Sequence, residues 1–137
     1  MNRSDLQRLS NARIREAKIL FAAGEYSGAY YLAGYAVECA LKACIAKATQ
    51  RFDFPDKVRV NGSYSHKLAD LLKIANLTAD LEQAVQVNGK LGASWNVVSN
   101  WSEQSRYVIC SGSDADAMIK AVGKLRDGVI PWIKRRW

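Results

Sequence analysis

The segment Ala29–Ala43, AYYLAGYAVECALKA, restricts the fold more than any other part of the chain. Wound as a helix, it is apolar around almost its whole circumference. It is also dense in the small residues Ala29, Ala33, Gly34, Ala36, Ala40 and Ala43, which let neighbouring backbones approach closely. Such a helix belongs at the centre of a bundle. Yet Glu38 and Lys42 stand inside it, and a buried ion without a partner is costly. On a helical wheel Tyr31, Tyr35, Glu38 and Lys42 fall within about 60° of one another. Ser27 and Thr49 prolong the same line. The charges therefore share one polar seam with two phenols. Glu before Lys at i,i+4 is the favourable order, worth about 0.2–0.5 kcal/mol on an exposed face. The helix alone allows two readings. One is a partly exposed edge along which long side chains reach water. The other is a groove or subunit interface that needs a fixed carboxylate.

The stretch from Tyr26 to Ala46 has the length of a membrane span, but charges near its middle make spanning costly. A buried helix in a soluble bundle fits better. The charged, amphipathic start of the chain has no apolar stretch of the kind a secretory signal needs.

Helical spacing dominates the rest of the 137 residues, which suit a single domain over 1–137. A first helix is expected from Ser4 to Ala23, with Leu6, Leu9, Ile14, Ala17, Leu20 and Phe21 inward and Gly24 just past its end. The second is expected to start at Ser27 as N-cap, with Tyr26 and Tyr31 as a hydrophobic staple. Pro55 and Asn61-Gly62 mark Arg51–Ser63 as a loop. Short helices follow, one from Ser65 to Ile74 and one after Thr78. The segment SWNVVSNWSEQSRYVICSGS reads as an irregular connection. A last helix is expected at Ser113, with Asp116 completing a capping-box pattern and Met118, Ala121, Val122, Leu125, Val129 and Ile133 inward. Pro131 should kink or end it. The sum is an all-α, up-and-down bundle of four to five helices.

The formal net charge of +7 favours anionic partners such as nucleic acid or nucleotides, although a solvated basic surface has the same composition. Three cysteines without regular spacing argue against a disulfide framework, and a reducing cytoplasm is the simplest setting. With one histidine, no metal site is readable, and no motif points to a cofactor. That histidine, His66, opens the third helix and has the intrinsic proton affinity of a general acid or base, or serves structure alone. Arg106 stands in SEQSRY beside Trp101 and Tyr107, where it can stack and still present its fork to a phosphate or to a carboxylate such as Glu38, or simply tie a loop down.

Taken together, Gly24–Ala43, Ser65–Leu72, Trp101–Tyr107 and Ala117–Lys134 resemble the HEPN domain family. The most specific block is Tyr31–Ala43. The resemblance implies a small all-α bundle that forms homodimers in an RNA- or nucleotide-linked setting. Many members are metal-independent ribonucleases of toxin–antitoxin or defence systems. Others pair with a small nucleotidyltransferase, and some only bind. It further implies a groove formed here by Tyr31, Tyr35, Glu38, Lys42, Arg106 and Tyr107. Cutting members carry an arginine followed, after four to six residues, by a histidine at the start of a late helix. Arg106 stands at the late position, but Ser111, Gly112 and Ser113 stand where the histidine would be. Arg59 and His66 have the spacing, earlier in the chain. The expectation is therefore a homodimeric binding module for RNA, a nucleotide or a nucleotidyltransferase-type partner. The alternative is a ribonuclease toxin using His66 with Arg59 or Arg106.

Overall fold

The computed structural model describes residues 1–49, 53, 54 and 56–137. Among them are eight α-helices, one 3₁₀ turn and no strand. The protein is all-α, with more helices than the four to five expected because two of the expected elements divide and one expected loop winds up. α1 (Arg3–Ala22) and α2 (Tyr26–Ala48) form an antiparallel hairpin. Gly24 turns the chain at φ 82°, a left-handed conformation that suits glycine. Asn2 caps α1: its side chain accepts from Asp5 N, and Asp5 accepts from Asn2 N, both at 3.0 Å. α2 begins one residue before the expected cap, and Ser27 Oγ instead accepts from Cys110 N at 2.9 Å.

α2 is the central helix. It touches α1, α4 (Leu68–Ile74), α7 (Gly112–Gly123), α8 (Val129–Lys134) and the 3₁₀ turn Glu103–Tyr107. Twelve of its residues are buried, among them Ala33, Gly34, Ala36, Ala40 and Ala43. Close approach is the reason for the small residues. A Cβ on Gly34 would come within 2.2 Å of the Trp101 ring, so the indole lies directly on the helix surface. Ser10 on α1 donates to Ala36 O at 2.8 Å and closes the hairpin in its dry interior.

The expected loop before His66 contains α3 (Lys57–Ser63), with Asp56 Oδ1 accepting from Val58 N at 2.9 Å. Arg51 and Pro55 lie outside the described residues. Asn61-Gly62 does not break α3: a Cβ on Gly62 would meet the Ile74 side chain at 2.6 Å, so the glycine lets α3 lie against α4. α5 (Thr78–Val87) is followed by α6 (Gly89–Ser99), capped by Asn88. Residues 94–99 were expected to be irregular. Leu91, Trp95 and Val98 nonetheless recur at i, i+4 and i+7 and pack inward, and this period outweighs the turn-forming residues.

α7 opens at Ser111 rather than Ser113. The pattern Ser-x-x-acid occurs twice in overlap, and the chain uses the first: Ser111 Oγ accepts from Asp114 N at 3.1 Å, and Asp114 accepts from Ser111 N at 3.2 Å. The last helix breaks before Pro131, at Lys124–Gly128, which leaves Leu125 exposed in the turn instead of inward. A Cβ on Gly128 would meet the Lys124 backbone at 2.6 Å. Pro131 then sits in the first turn of α8, where a missing N–H costs nothing. Among the described residues no helix is long and apolar enough to cross a membrane.

Candidate functional site

The seam of α2 gathers around a buried carboxylate. Glu38 is 2% exposed. Its Oε1 accepts from Lys42 Nζ at 2.8 Å, one turn along the helix. The same oxygen lies 3.0 Å from His66 Nδ1. His66 arrives from the link between α3 and α4. α4 packs on α2 and buries Leu68, Leu71 and Leu72, which brings its leading residues alongside Glu38. Ser65 shapes the link: its Oγ accepts from Lys67 N at 3.1 Å and meets Asp70 Oδ2 at 3.2 Å.

This arrangement gives each group a task. A carboxylate on Nδ1 fixes the imidazole and leaves Nε2 as the nitrogen for proton transfer or hydrogen bonding. The His66 side chain is half exposed, so Nε2 chemistry is open to a ligand. Lys42 and His66 both occupy Oε1. Glu38 Oε2 is buried and has no hydrogen-bond partner among the described residues. Leaving such an acceptor unpaired is costly, so the site holds unused capacity for a donor.

Aromatic rings line the next stretch of the seam. The Tyr31 and Tyr35 rings stack, with centroids 6.3 Å apart and planes within 6°. Trp101 stands 5.7 Å from Tyr31, and its Nε1 donates to Tyr31 O at 3.1 Å. Burial pushes the Tyr35 phenol up, and the neighbouring Cys39 thiol and Glu38 carboxylate add to it. Cys39, on the same helix, is pushed up to about 11, by burial first and Glu38 second. Both stay protonated at neutral pH, which leaves proton transfer to His66. Arg13 of α1 acts on Tyr35 and Cys39 in the opposite sense and so stands within electrostatic reach of the seam. The sequence places Arg13 on the polar side of its helix and gives no sign of this proximity.

The other candidates lie apart from this cluster. Arg106 and Tyr107 sit in the 3₁₀ turn, exposed, with the guanidinium 5.0 Å from the Tyr107 ring centroid. Among the described residues no hydrogen bond or ion pair joins Arg106 to Glu38. Arg59 Nη2 donates to Ile45 O at 3.3 Å and anchors α3 on the C-terminal half of α2. No hydrogen bond among the described residues joins it to His66. The structure thus brings together Tyr31, Tyr35, Glu38, Lys42 and His66. Sequence reasoning had Glu38 and His66 as separate candidates, 28 residues apart, and no spacing rule links them. Among the described residues no group of three or more His, Cys, Asp or Glu is placed to hold a metal ion.

A small helical domain whose central helix carries this seam has a match among known families. The model of the HEPN domain matches residues 4–130, nearly the whole chain. The chain belongs to the HEPN family. No curated protein and no solved structure matches it significantly. Membership accounts for the all-helical architecture and places the protein among nucleotide- or RNA-related modules in general.

Proposed function

We propose that this HEPN domain is a homodimeric module that binds RNA or a nucleotide through the α2 seam, in a toxin–antitoxin or defence setting. The observation that carries the reading is the buried Glu38 carboxylate holding Lys42 and His66 beside a stacked tyrosine pair. Two cationic or polar donors suit a phosphate, and half-buried aromatic rings suit a base. The unpaired Oε2 suits a donor such as a ribose hydroxyl or a base amino group. The net charge of +7 draws polyanions. After Arg106 comes an exposed apolar run, Tyr107, Val108 and Ile109, which suits a second subunit or a nucleotidyltransferase-type partner.

A second reading is favoured by one contact, the 3.0 Å approach of Glu38 to His66 Nδ1. Cleavage of RNA without a metal needs a base to take the 2′-hydroxyl proton as that oxygen attacks phosphorus. It also needs an acid to protonate the 5′-oxygen as its bond to phosphorus breaks. One chain supplies one such group. A dimer with the two seams facing would supply two copies of His66, one in each role, with Lys42 beside the phosphate.

One experiment separates the readings: RNA binding and cleavage by wild type and His66→Ala, in EDTA and across a salt range. The binding reading expects salt-dependent association without cleavage. Undetectable or salt-insensitive RNA binding would sink it. The cleavage reading expects cutting that survives EDTA and falls by roughly 100-fold or more in the variant. A variant that cuts as well as wild type removes His66 from the chemistry.

A further inference from the structure

Far along the chain from the seam, α5, the start of α6 and α8 enclose an open cleft of about 610 Å³. Three arginines line it, Arg126, Arg135 and Arg136, together with Asp80 and Trp132. Arg126 and Arg135 are exposed and make no hydrogen bond or ion pair among the described residues. Arg136 is held in place. Its guanidinium stacks 4.1 Å from the Trp132 ring centroid, Nη1 donates to Trp132 O at 3.0 Å, and Lys47 Nζ holds its carbonyl at 3.0 Å. Among the described residues Asp80 is the only carboxylate lining the cleft, and its Oδ2 forms an ion pair with Arg136 Nε at 3.6 Å, longer than a hydrogen bond. The nearby Asp127 is already engaged by Asn88 Nδ2 at 3.1 Å.

Two buried donors in this lining have no hydrogen-bond partner among the described residues: Arg136 Nε, which has only the longer ion pair to Asp80, and the indole Nε1 of Trp132, a residue only 3% exposed. Unpaired buried donors are uncommon in native structures. Here both belong to residues that line one cleft with Arg126 and Arg135.

We infer that this cleft is a second anion site, separate from the α2 seam, that takes a phosphate group on Arg126, Arg135 and Arg136 with the Trp132 indole N–H at its base. Guanidinium is the group best shaped for phosphate, since its planar fork donates two parallel hydrogen bonds. Arg136 is oriented before a ligand arrives, which lowers the entropy lost on binding. The phosphate can belong to a free nucleotide or to a polynucleotide backbone, and the chemistry of recognition is the same.

Four tryptophans give four indole N–H resonances in a ¹⁵N-labelled sample. They are followed while inorganic phosphate, adenosine monophosphate or a 2′-O-methyl oligouridylate is added, the last resisting any cleavage at the seam. The expected result is a saturable shift of the Trp132 resonance. A response to phosphate and the mononucleotide identifies a small-ligand site, and a response to the oligonucleotide alone identifies a backbone site. The double variant Arg126→Gln/Arg135→Gln should weaken that response roughly tenfold or more. Both side chains are exposed, so the fold should survive. A Trp132 resonance unmoved by all three probes, or moved equally in the double variant, overturns the inference. Trp101, whose N–H is bonded to Tyr31 O, reports on the seam. An oligonucleotide that moves Trp101, with Trp132 unmoved by all three probes, supports binding at α2 and removes the cleft.

Discussion

The α2 seam and the C-terminal cleft both carry basic side chains, yet their unpaired groups have opposite polarity. At the seam the leftover atom is an acceptor, Glu38 Oε2, because Lys42 and His66 share the other oxygen. At the cleft the leftover atoms are donors, Trp132 Nε1 and Arg136 Nε. Positive charge is also handled differently. A buried carboxylate holds the seam's Lys42 and His66, whereas Arg126 and Arg135 make no ion pair among the described residues. Basic side chains alone would make the two regions look alike. Atom-by-atom satisfaction separates a site suited to a hydroxyl or amino group beside a phosphate from one suited to phosphate alone.

The largest expected effect tests whether Glu38 organises the seam. Glu38→Ala removes the acceptor shared by Lys42 and His66. A fully buried pair broken this way costs about 3–5 kcal/mol. Lys42 and His66 keep some access to water, with side-chain exposures of 22% and 50%, so about 2 kcal/mol is expected here. Glu38→Gln keeps the shape and an acceptor oxygen and should cost about half as much. Urea denaturation of both variants reads this. Equal stability of all three proteins would mean that the carboxylate is a tolerated edge residue and that the comparison fails on the seam side.

A smaller effect sharpens the comparison through two tryptophans that are equally buried, Trp101 at 2% and Trp132 at 3% exposure. Replacement by phenylalanine removes a similar volume at each. Only Trp101 also loses a hydrogen bond, to Tyr31 O. In the absence of ligand, Trp101→Phe should therefore cost about 1 kcal/mol more than Trp132→Phe. With saturating phosphate the gap should close, because the Trp132 donor then has something to lose. A gap that is absent without ligand would mean that the Trp132 N–H has a partner after all.

Much of the fold is legible in the sequence because it rests on local periodicity. The small-residue core helix, the first helix and the Gly24 turn follow from spacing and backbone chemistry alone. Boundaries were lost where one signal had two valid readings. Ser111 and Ser113 both start a Ser-x-x-acid pattern, and a glycine such as Gly62 or Gly92 can either break a helix or admit a close neighbour. In the structure each glycine admits a neighbouring side chain: Ile74 lies where a Cβ on Gly62 would go, and Val85 where one on Gly92 would go. The seam was legible as a line on one helix, since Tyr31, Tyr35, Glu38 and Lys42 follow from angular position. Its partners were not. The approach of His66 to Glu38 depends on how α4 docks on α2, and the nearness of Arg13 depends on how α1 crosses it. The arginine cleft depends on α8 folding back toward α5, which no local pattern announces.

The smallest expected effect asks whether the seam carboxylate is felt as a charge, and two cysteines of α2 make a matched pair for it. Cys39 and Cys44 are both buried, and both thiols are pushed up to about 11 from an ordinary value near 9.0. Burial is the leading cause for each. The Glu38 carboxylate is the second cause for Cys39 and plays no part at Cys44. In the unfolded chain both thiols ionise near pH 9, and in the folded chain only near 11. The folded state thus binds more protons between those values, and stability falls as pH rises from about 9 to about 11, with no contribution below. Per-residue alkylation rates, read by mass spectrometry across that window, should rise together for the two thiols in the wild type. In Glu38→Gln the neighbouring negative charge is gone. The Cys39 profile should then move to lower pH by a few tenths of a unit, while Cys44 stays where it was. Movement of both profiles would signal general loosening of α2, and movement of neither would mean that Glu38 is not held beside Cys39 as a charge.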